Sequence, residues 1–171
     1  MNTGTSVIIL VVGIIALLIF CIIGIYNILI NSKNRVNDKW EEINKQLDNK
    51  IKILSKITEI TKDYITPEES NELLETKNKL VNAISINDKI IANNKLNEIL
   101  ETINNKNDEK LLTDSKYIEI KESIKEIDDK INYAKEFYNE EAEKHNKLIK
   151  KVPIMLIAML FKFKSYIIFE Q

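Results

Sequence analysis

After Gly24 the chain contains no glycine, and its only two prolines stand at 67 and 153. A sheet domain of this size needs hairpin and loop chemistry built on such residues. The scarcity therefore excludes a sheet and leaves helices. No glycine-rich loop exists after residue 24 to cradle a phosphate. There is one histidine, His145, and one cysteine, Cys21. A single thiol excludes an internal disulfide. Neither a Ser-His-Asp nor a Cys-His arrangement can be argued with any specificity from such a set. Lys and Arg number 25 against 26 Asp and Glu, which excludes the basic excess of a general nucleic-acid binder. Charge itself is missing from the start of the chain, where the first charged side chain is Lys33.

What fills that uncharged region is Ser6 to Ile30, SVIILVVGIIALLIFCIIGIYNILI. A helix of roughly 20 apolar residues spans a bilayer core, and in hydrocarbon every backbone polar group must bond within its own segment. The stretch is expected to be a transmembrane helix over 6–30. A few tenths of a kcal/mol per aliphatic residue favour its insertion by on the order of several kcal/mol. Residues 1–5 then form a short N-terminus, and 31–171 are long enough for one domain with a sizeable core. Lys33, Arg35 and Lys39 follow the stretch and no basic residue precedes it. Positive residues stay cytoplasmic, so the N-terminus is expected outside and the bulk of the chain in the cytoplasm, at the cell membrane. Phe20 before Cys21 argues against a cysteine lipidated after a bacterial signal, since that processing needs a small residue there. The long apolar core without a small-x-small site argues against a cleaved signal. Cys21 is read as filler in the membrane helix.

The apolar run passes into an amphipathic one without Gly or Pro. Val36, Trp40, Ile43, Leu47, Ile51, Leu54, Ile57 and Ile60 recur at helical spacing. This predicts one helix from the membrane to about Tyr64, with the membrane stretch as its first third. Thr66-Pro67-Glu68-Glu69 is a capping box with proline at the first helical position. Leu73, Leu74, Leu80, Val81, Ala83 and Ile84 are expected on the buried side of the helix it opens. A turn or kink is expected over Ser85-Ile86-Asn87-Asp88, then a helix bearing Ile90, Ile91, Leu96, Ile99, Leu100 and Ile103. Asn104-Asn105-Lys106-Asn107-Asp108 is loop material. Asp114 or Ser115 caps a long helix carrying Ile120, Ile124, Ile127, Ile131, Ala134, Phe137 or Tyr138, Ala142, His145, Leu148 and Ile149, which Pro153 ends. The fold class is thus all-α: a transmembrane helix continuing into an antiparallel bundle of about four long helices, plus a short C-terminal helix. A coiled-coil dimer is the rival architecture.

The uncharged tail 152–161, VPIMLIAMLF, is too short to span a bilayer. It admits two readings: a short helix closing the core, or an interfacial segment held against anionic lipid by Lys150, Lys151, Lys162 and Lys164. Asn139 and Asn146 lie seven apart on one helix face, each preceded by a ring, Tyr138 and His145. Buried amides on a seam fix register; the alternative is a polar groove for a partner helix or small ligand. Glu141 and His145 share a face at a spacing of four, whereas carboxylate-bridged metal bundles use Glu-x-x-His on two helices. No catalytic, cofactor or metal site is assigned. Trp40 reads as a core anchor.

These residues together resemble the LemA family of bacterial membrane proteins. Tyr26-Asn27-Ile28-Leu29-Ile30 is similar to that family's Y-N-x-L-V, and Asn34-Arg35-Val36, Trp40, Ile43 and Gln46-Leu47 to its N-R-V-x-x-A-W-x-x-I-x-x-Q-L. Tyr133-Ala134, Phe137-Tyr138-Asn139, Asn146, Val152-Pro153, Ala158, Phe161, Phe163 and Phe169 resemble its later aromatic, Y-N and F-P signatures, with the order kept as far as Glu170. The chain departs where L-I-P-N-L is usual and Ile53-Leu54-Ser55-Lys56-Ile57 stands. His145 replaces the usual tyrosine, and the glycine near the final phenylalanine is missing. The resemblance implies a single N-terminal membrane helix, an outward N-terminus, a cytoplasmic bundle and no enzymatic activity. A magnetosome-associated relative adds, by analogy, a membrane-organising role.

The expected function is therefore a membrane-tethered structural or interaction protein that organises partners or membrane at the inner leaflet. The alternative is a transmembrane sensor or binding module relaying a signal along a continuous helix. Expected partners are the lipid bilayer and unidentified proteins; no nucleic acid or cofactor is expected, and a homo-oligomer is allowed.

Overall fold

A computed structural model describes residues 3–106 and 108–169. Met1 and Asn2 of the expected N-terminus, Asn107 of the polar loop and Glu170 lie outside the described residues. Six helices follow one another: α1 (Thr3–Thr61), α2 (Pro67–Asn82), α3 (Ile86–Asn105), α4 (Glu109–Thr113), α5 (Ser115–Leu148) and α6 (Ile154–Leu160). No strand occurs among the described residues, so the fold is all-α. The short α4 was not expected; Asp108 creates it by accepting from the backbone N–H groups of Lys110 and Leu111.

The chain divides into two compact units. One is made of α1 up to Trp40 and of the chain from Lys135 onward; the other is Glu41–Ala134. In the second unit, helix ends follow local chemistry. Thr66 and Glu69 exchange side chain-to-backbone hydrogen bonds around Pro67. The Ser85 hydroxyl accepts from Asp88 N–H at the start of α3, and the Asp114 carboxylate caps α5. Helices α2 and α3 run antiparallel, since Lys95 reaches Glu72 while the later Lys106 reaches the earlier Glu69.

Burial in this unit follows the seam spacing more strictly than hydrophobicity. In α1 the fully covered positions are Ile43, Leu47, Lys50, Leu54, Ile57 and Thr61, three and four apart in alternation. Ile51 and Ile60, expected inside, are only half-buried. Leu73, Thr76 and Leu80 are buried in α2, while Leu74, Val81 and Ile84 are exposed. Ile84 is 99% exposed because it sits in the turn between Ala83 and Ser85. In α3, Ile90, Ala92, Asn93, Leu96, Ile99 and Ile103 are buried and Ile91 is not.

In the first unit, α1 is bare over its apolar part. None of its most apolar 18-residue window is buried, and Cys21 is exposed. Cover begins at Leu29, Ser32 and Val36. Here α5 runs antiparallel to α1: Arg35 pairs with Glu141, and Ser32, one turn earlier, pairs with His145, one turn later. Helix α5 ends at Leu148, ahead of a cis Val152–Pro153 peptide bond. Helix α6 then closes with a Schellman turn. Phe163 N–H reaches the Ala158 carbonyl, Lys162 N–H reaches the Met159 carbonyl, and Lys162 is left-handed at φ 57°. For a residue with a Cβ, that conformation costs roughly 1–2 kcal/mol.

Candidate functional site

Beyond Lys162 the chain stays out of helix or strand as far as Phe169. What holds it is the pair of asparagines on α5. Asn139 Nδ2 donates to the Phe169 carbonyl at 2.8 Å, and Phe169 N–H donates to Asn139 Oδ1 at 2.9 Å. Asn146 repeats the arrangement on Tyr166, with both bonds 2.8 Å. A primary amide offers one carbonyl and an N–H, the same pair that a peptide unit offers a neighbouring strand. Seven helical residues advance about 10.5 Å, and three extended residues advance about 10 Å. The heptad spacing of the asparagines therefore fits a three-residue step of an extended segment running antiparallel to α5. The register reading names no partner and the groove reading names a partner helix or small ligand; both amides bond the chain's own backbone at Tyr166 and Phe169.

His145 adds a third tie. Its Nε2 lies 3.2 Å from the Lys164 carbonyl and its Nδ1 lies 3.1 Å from Ser32 Oγ. Because a carbonyl only accepts, Nε2 carries the proton and Nδ1 accepts from the Ser32 hydroxyl. Burial lowers the imidazole pKa, the Lys164 carbonyl acts in the opposite direction, and the charges of Arg35 and Lys33 lower it further. The neutral ring is the form this geometry suits. Glu141, four residues before it, turns to Arg35 at 3.0 Å and to Lys144 at 2.8 Å. The Lys144 hydrogen bond first, and Arg35 after it, hold its carboxyl below the usual range.

An aromatic cluster surrounds the ties. Tyr138 is fully buried, with its ring 6.2 Å edge-on from Trp40 and 5.1 Å from Phe169. Its hydroxyl has no hydrogen-bond partner among the described residues, and burial pushes its pKa up to about 12. Tyr26 meets Phe161 at 4.8 Å and Phe163 at 6.0 Å, while Lys39 lies over the half-exposed Phe137 at 5.5 Å. Tyr166 Oη donates to Asn37. A pocket of about 350 Å³ opens among Tyr26, Lys33, His145, Phe163 and Lys164.

Of the signature residues, Tyr26, Arg35, Trp40, Phe137 and Tyr138 converge on this unit, with Pro153 preceding α6. Asn27 is exposed beside them. Gln46 belongs to the second unit, where it donates to Glu42 on its own helix. Sequence reasoning missed Lys50. Its side chain is 0% exposed, and its ammonium donates to Asn93 at 3.0 Å, to Asn97, and to Asp128 at 2.5 Å. Burial lowers its pKa while Asp128 raises it. The available signal was spacing: Lys50 falls on the seam between Leu47 and Leu54, whereas the more apolar Ile51 does not. Ser32 could have been found the same way, between Leu29 and Val36.

No curated protein matches the chain. A family model described as the LemA family matches residues 39–171, which takes in α5, α6 and the tail with both asparagine ties. The signature at Tyr26–Val36 precedes that match. On the strength of this coverage, the chain belongs to the LemA family.

Proposed function

We propose that the protein is a single-pass, non-enzymatic structural and interaction protein of the cell membrane. In this reading the N-terminus lies outside, and 31–171 organise protein partners or the membrane itself at the inner leaflet. The observation that carries the reading is the bare apolar surface of α1. Val7 to Phe20 present large aliphatic and aromatic side chains to the surroundings, and an exposed patch of that extent needs a covering phase. Family membership supports it, and so does the charge asymmetry about the stretch. Topology is tested by cysteine labelling in a Cys21→Ser background. Thr3→Cys is expected to react with a membrane-impermeant maleimide in intact cells, and Glu136→Cys only after permeabilisation; the reverse pattern overturns the orientation. The interaction role is tested by photocrosslinkers at the exposed positions Glu119, Glu122 and Lys125. A recurrent crosslinked species supports it, and none above background removes it.

A second reading, a sensor relaying a signal inward, is favoured by one observation: α1 is unbroken from the apolar stretch through Val36. Inserting one residue after Ile30 rotates the following helix by about 100°. A relay would lose its output in that variant, whereas a plain anchor would not.

A further inference from the structure

The pocket beside Tyr26 has a chemical character that the ties do not use. Lys33, Lys162 and Lys164 line it, no carboxylate does, and none of the three forms an ion pair among the described residues. Three exposed lysines without an ion pair among the described residues, lining a space of about 350 Å³ with no carboxylate, suit an anion of small-ligand size. Its place on the helix narrows the choice. Tyr26 and Ile30, also in the lining, are the last residues of the apolar stretch, so the pocket adjoins the bare part of α1. Beside it, α6 buries Ala158 and exposes Leu156, Met159 and Leu160. Phe161, also exposed, packs on Tyr26. The apolar surface of α1 thus continues onto α6 and ends at the lysines. A molecule matching both parts is anionic at one end and apolar at the other.

The turn after α6 gives the same indication. Its left-handed position is one where glycine carries no steric cost, yet Lys162 occupies it. A lysine at this position of the pocket lining adds a cationic side chain that glycine would not.

We propose that this pocket binds the phosphate headgroup of one anionic phospholipid, with the acyl chains lying along α6 and the bare face of α1. The inference rests on the membrane reading above. It assigns Lys33, Lys162 and Lys164 to the phosphate and the exposed face of α6 to the headgroup–acyl boundary.

The test uses the full chain, purified in neutral detergent and titrated with phosphatidylglycerol or phosphatidylcholine, with bound lipid counted by native mass spectrometry. The wild type is expected to retain one phosphatidylglycerol in preference to phosphatidylcholine. A Lys33→Gln/Lys162→Gly/Lys164→Gln variant is expected to lose about tenfold in that affinity, whereas Lys150→Gln/Lys151→Gln, outside the pocket, keeps it. Lys162→Gly alone separates binding from folding: relief of the left-handed residue raises thermal stability while lipid retention falls. Equal retention of the two lipids, an unaffected triple variant, or equal loss in the Lys150/Lys151 control overturns the proposal. Displacement of phosphatidylglycerol by inorganic phosphate at matched concentration also overturns it, by assigning the site to free phosphate. Carbonate extraction of native membranes keeps the two readings apart. Release of the chain defeats the membrane reading, whereas a retained chain with no lipid preference defeats only this one.

Discussion

Replacing Asn139 by aspartate keeps the shape of the side chain and removes a single donor. In the native arrangement the amide gives one hydrogen bond and receives one, at 2.8 and 2.9 Å. A carboxylate still accepts from Phe169 N–H but places a lone pair and a charge against the Phe169 carbonyl. The lost bond is worth about 1 kcal/mol, and leaving that carbonyl opposed and without a donor costs about 1–3 kcal/mol more. Part of this is offset by the stronger, charge-assisted bond that remains. A net loss of about 2 kcal/mol corresponds to roughly 30-fold faster local opening. The assay is hydrogen exchange at the Phe169 amide in the full chain, corrected for the intrinsic pH dependence of exchange. The sign of the pH effect follows from the geometry. The docked tail favours the protonated acid, which again offers one donor and one acceptor, so docking raises the pKa of the introduced carboxyl. Docking is then strong below the ordinary aspartate value and lost as pH rises through the raised one. Protection in Asn139→Asp is therefore expected to recover toward wild type near about pH 4, while Asn139→Ala, measured alongside, does not recover. Wild-type exchange in Asn139→Asp at neutral pH, or parallel behaviour of the two variants across pH, would refute the two-bond tie.

Further outcomes follow from the same structure. Lys50→Met leaves the buried Asn93 without its donor and Asp128 without its cation. It is expected to destabilise the chain by about 3–5 kcal/mol in urea unfolding. Because burial lowers the Lys50 pKa, the folded state binds fewer protons, and wild-type stability relative to that variant should rise as pH climbs through the lowered value toward the ordinary lysine one. Tyr138→Phe removes a buried hydroxyl that lacks a partner among the described residues and should raise stability by about 1 kcal/mol in thermal melts, with Trp40 and Phe169 still packed on the ring. His145 has a lowered pKa, mainly from burial, so the docking of its neutral ring, with Nδ1 accepting from Ser32, should be fully present above the ordinary histidine value and lost as pH falls through the lowered one, while the Nε2 bond to the Lys164 carbonyl survives protonation. Exchange at the tail amides from about pH 7 down to about pH 5 measures this, and His145→Gln should flatten the profile.

Much of this molecule follows from local chemistry that the chain carries in plain order. The uncharged stretch from Ser6 to Ile30, the T-P-E-E box at Thr66, the caps at Ser85 and Asp114, and the scarcity of Gly and Pro decide helices and their ends, because each acts within a few residues. Seam spacing in α5 likewise identified Ile124, Ile127, Ile131, Ala134, Ala142 and His145, missed the buried Tyr117, included the half-buried Ile120, Leu148 and Ile149, and left the choice between Phe137 and Tyr138 open. Packing decided for Tyr138, which faces Trp40 and Phe169. Two things were beyond local reading. Lys50 is buried only because Asn93, Asn97 and Asp128, from two other helices, converge on its ammonium, and hydrophobicity alone favoured Ile51. The asparagine pair was visible as a spacing, but its partner was not. An extended segment has no periodic signature, and Tyr166 and Phe169 meet Asn146 and Asn139 only after the chain has turned back past α6. The sequence alone determined which segments are helical, the short α4 excepted, and which helix is apolar enough to cross a bilayer. The tertiary structure decided what the buried polar groups are for, because a polar group's role depends on the partner brought to it from elsewhere in the chain.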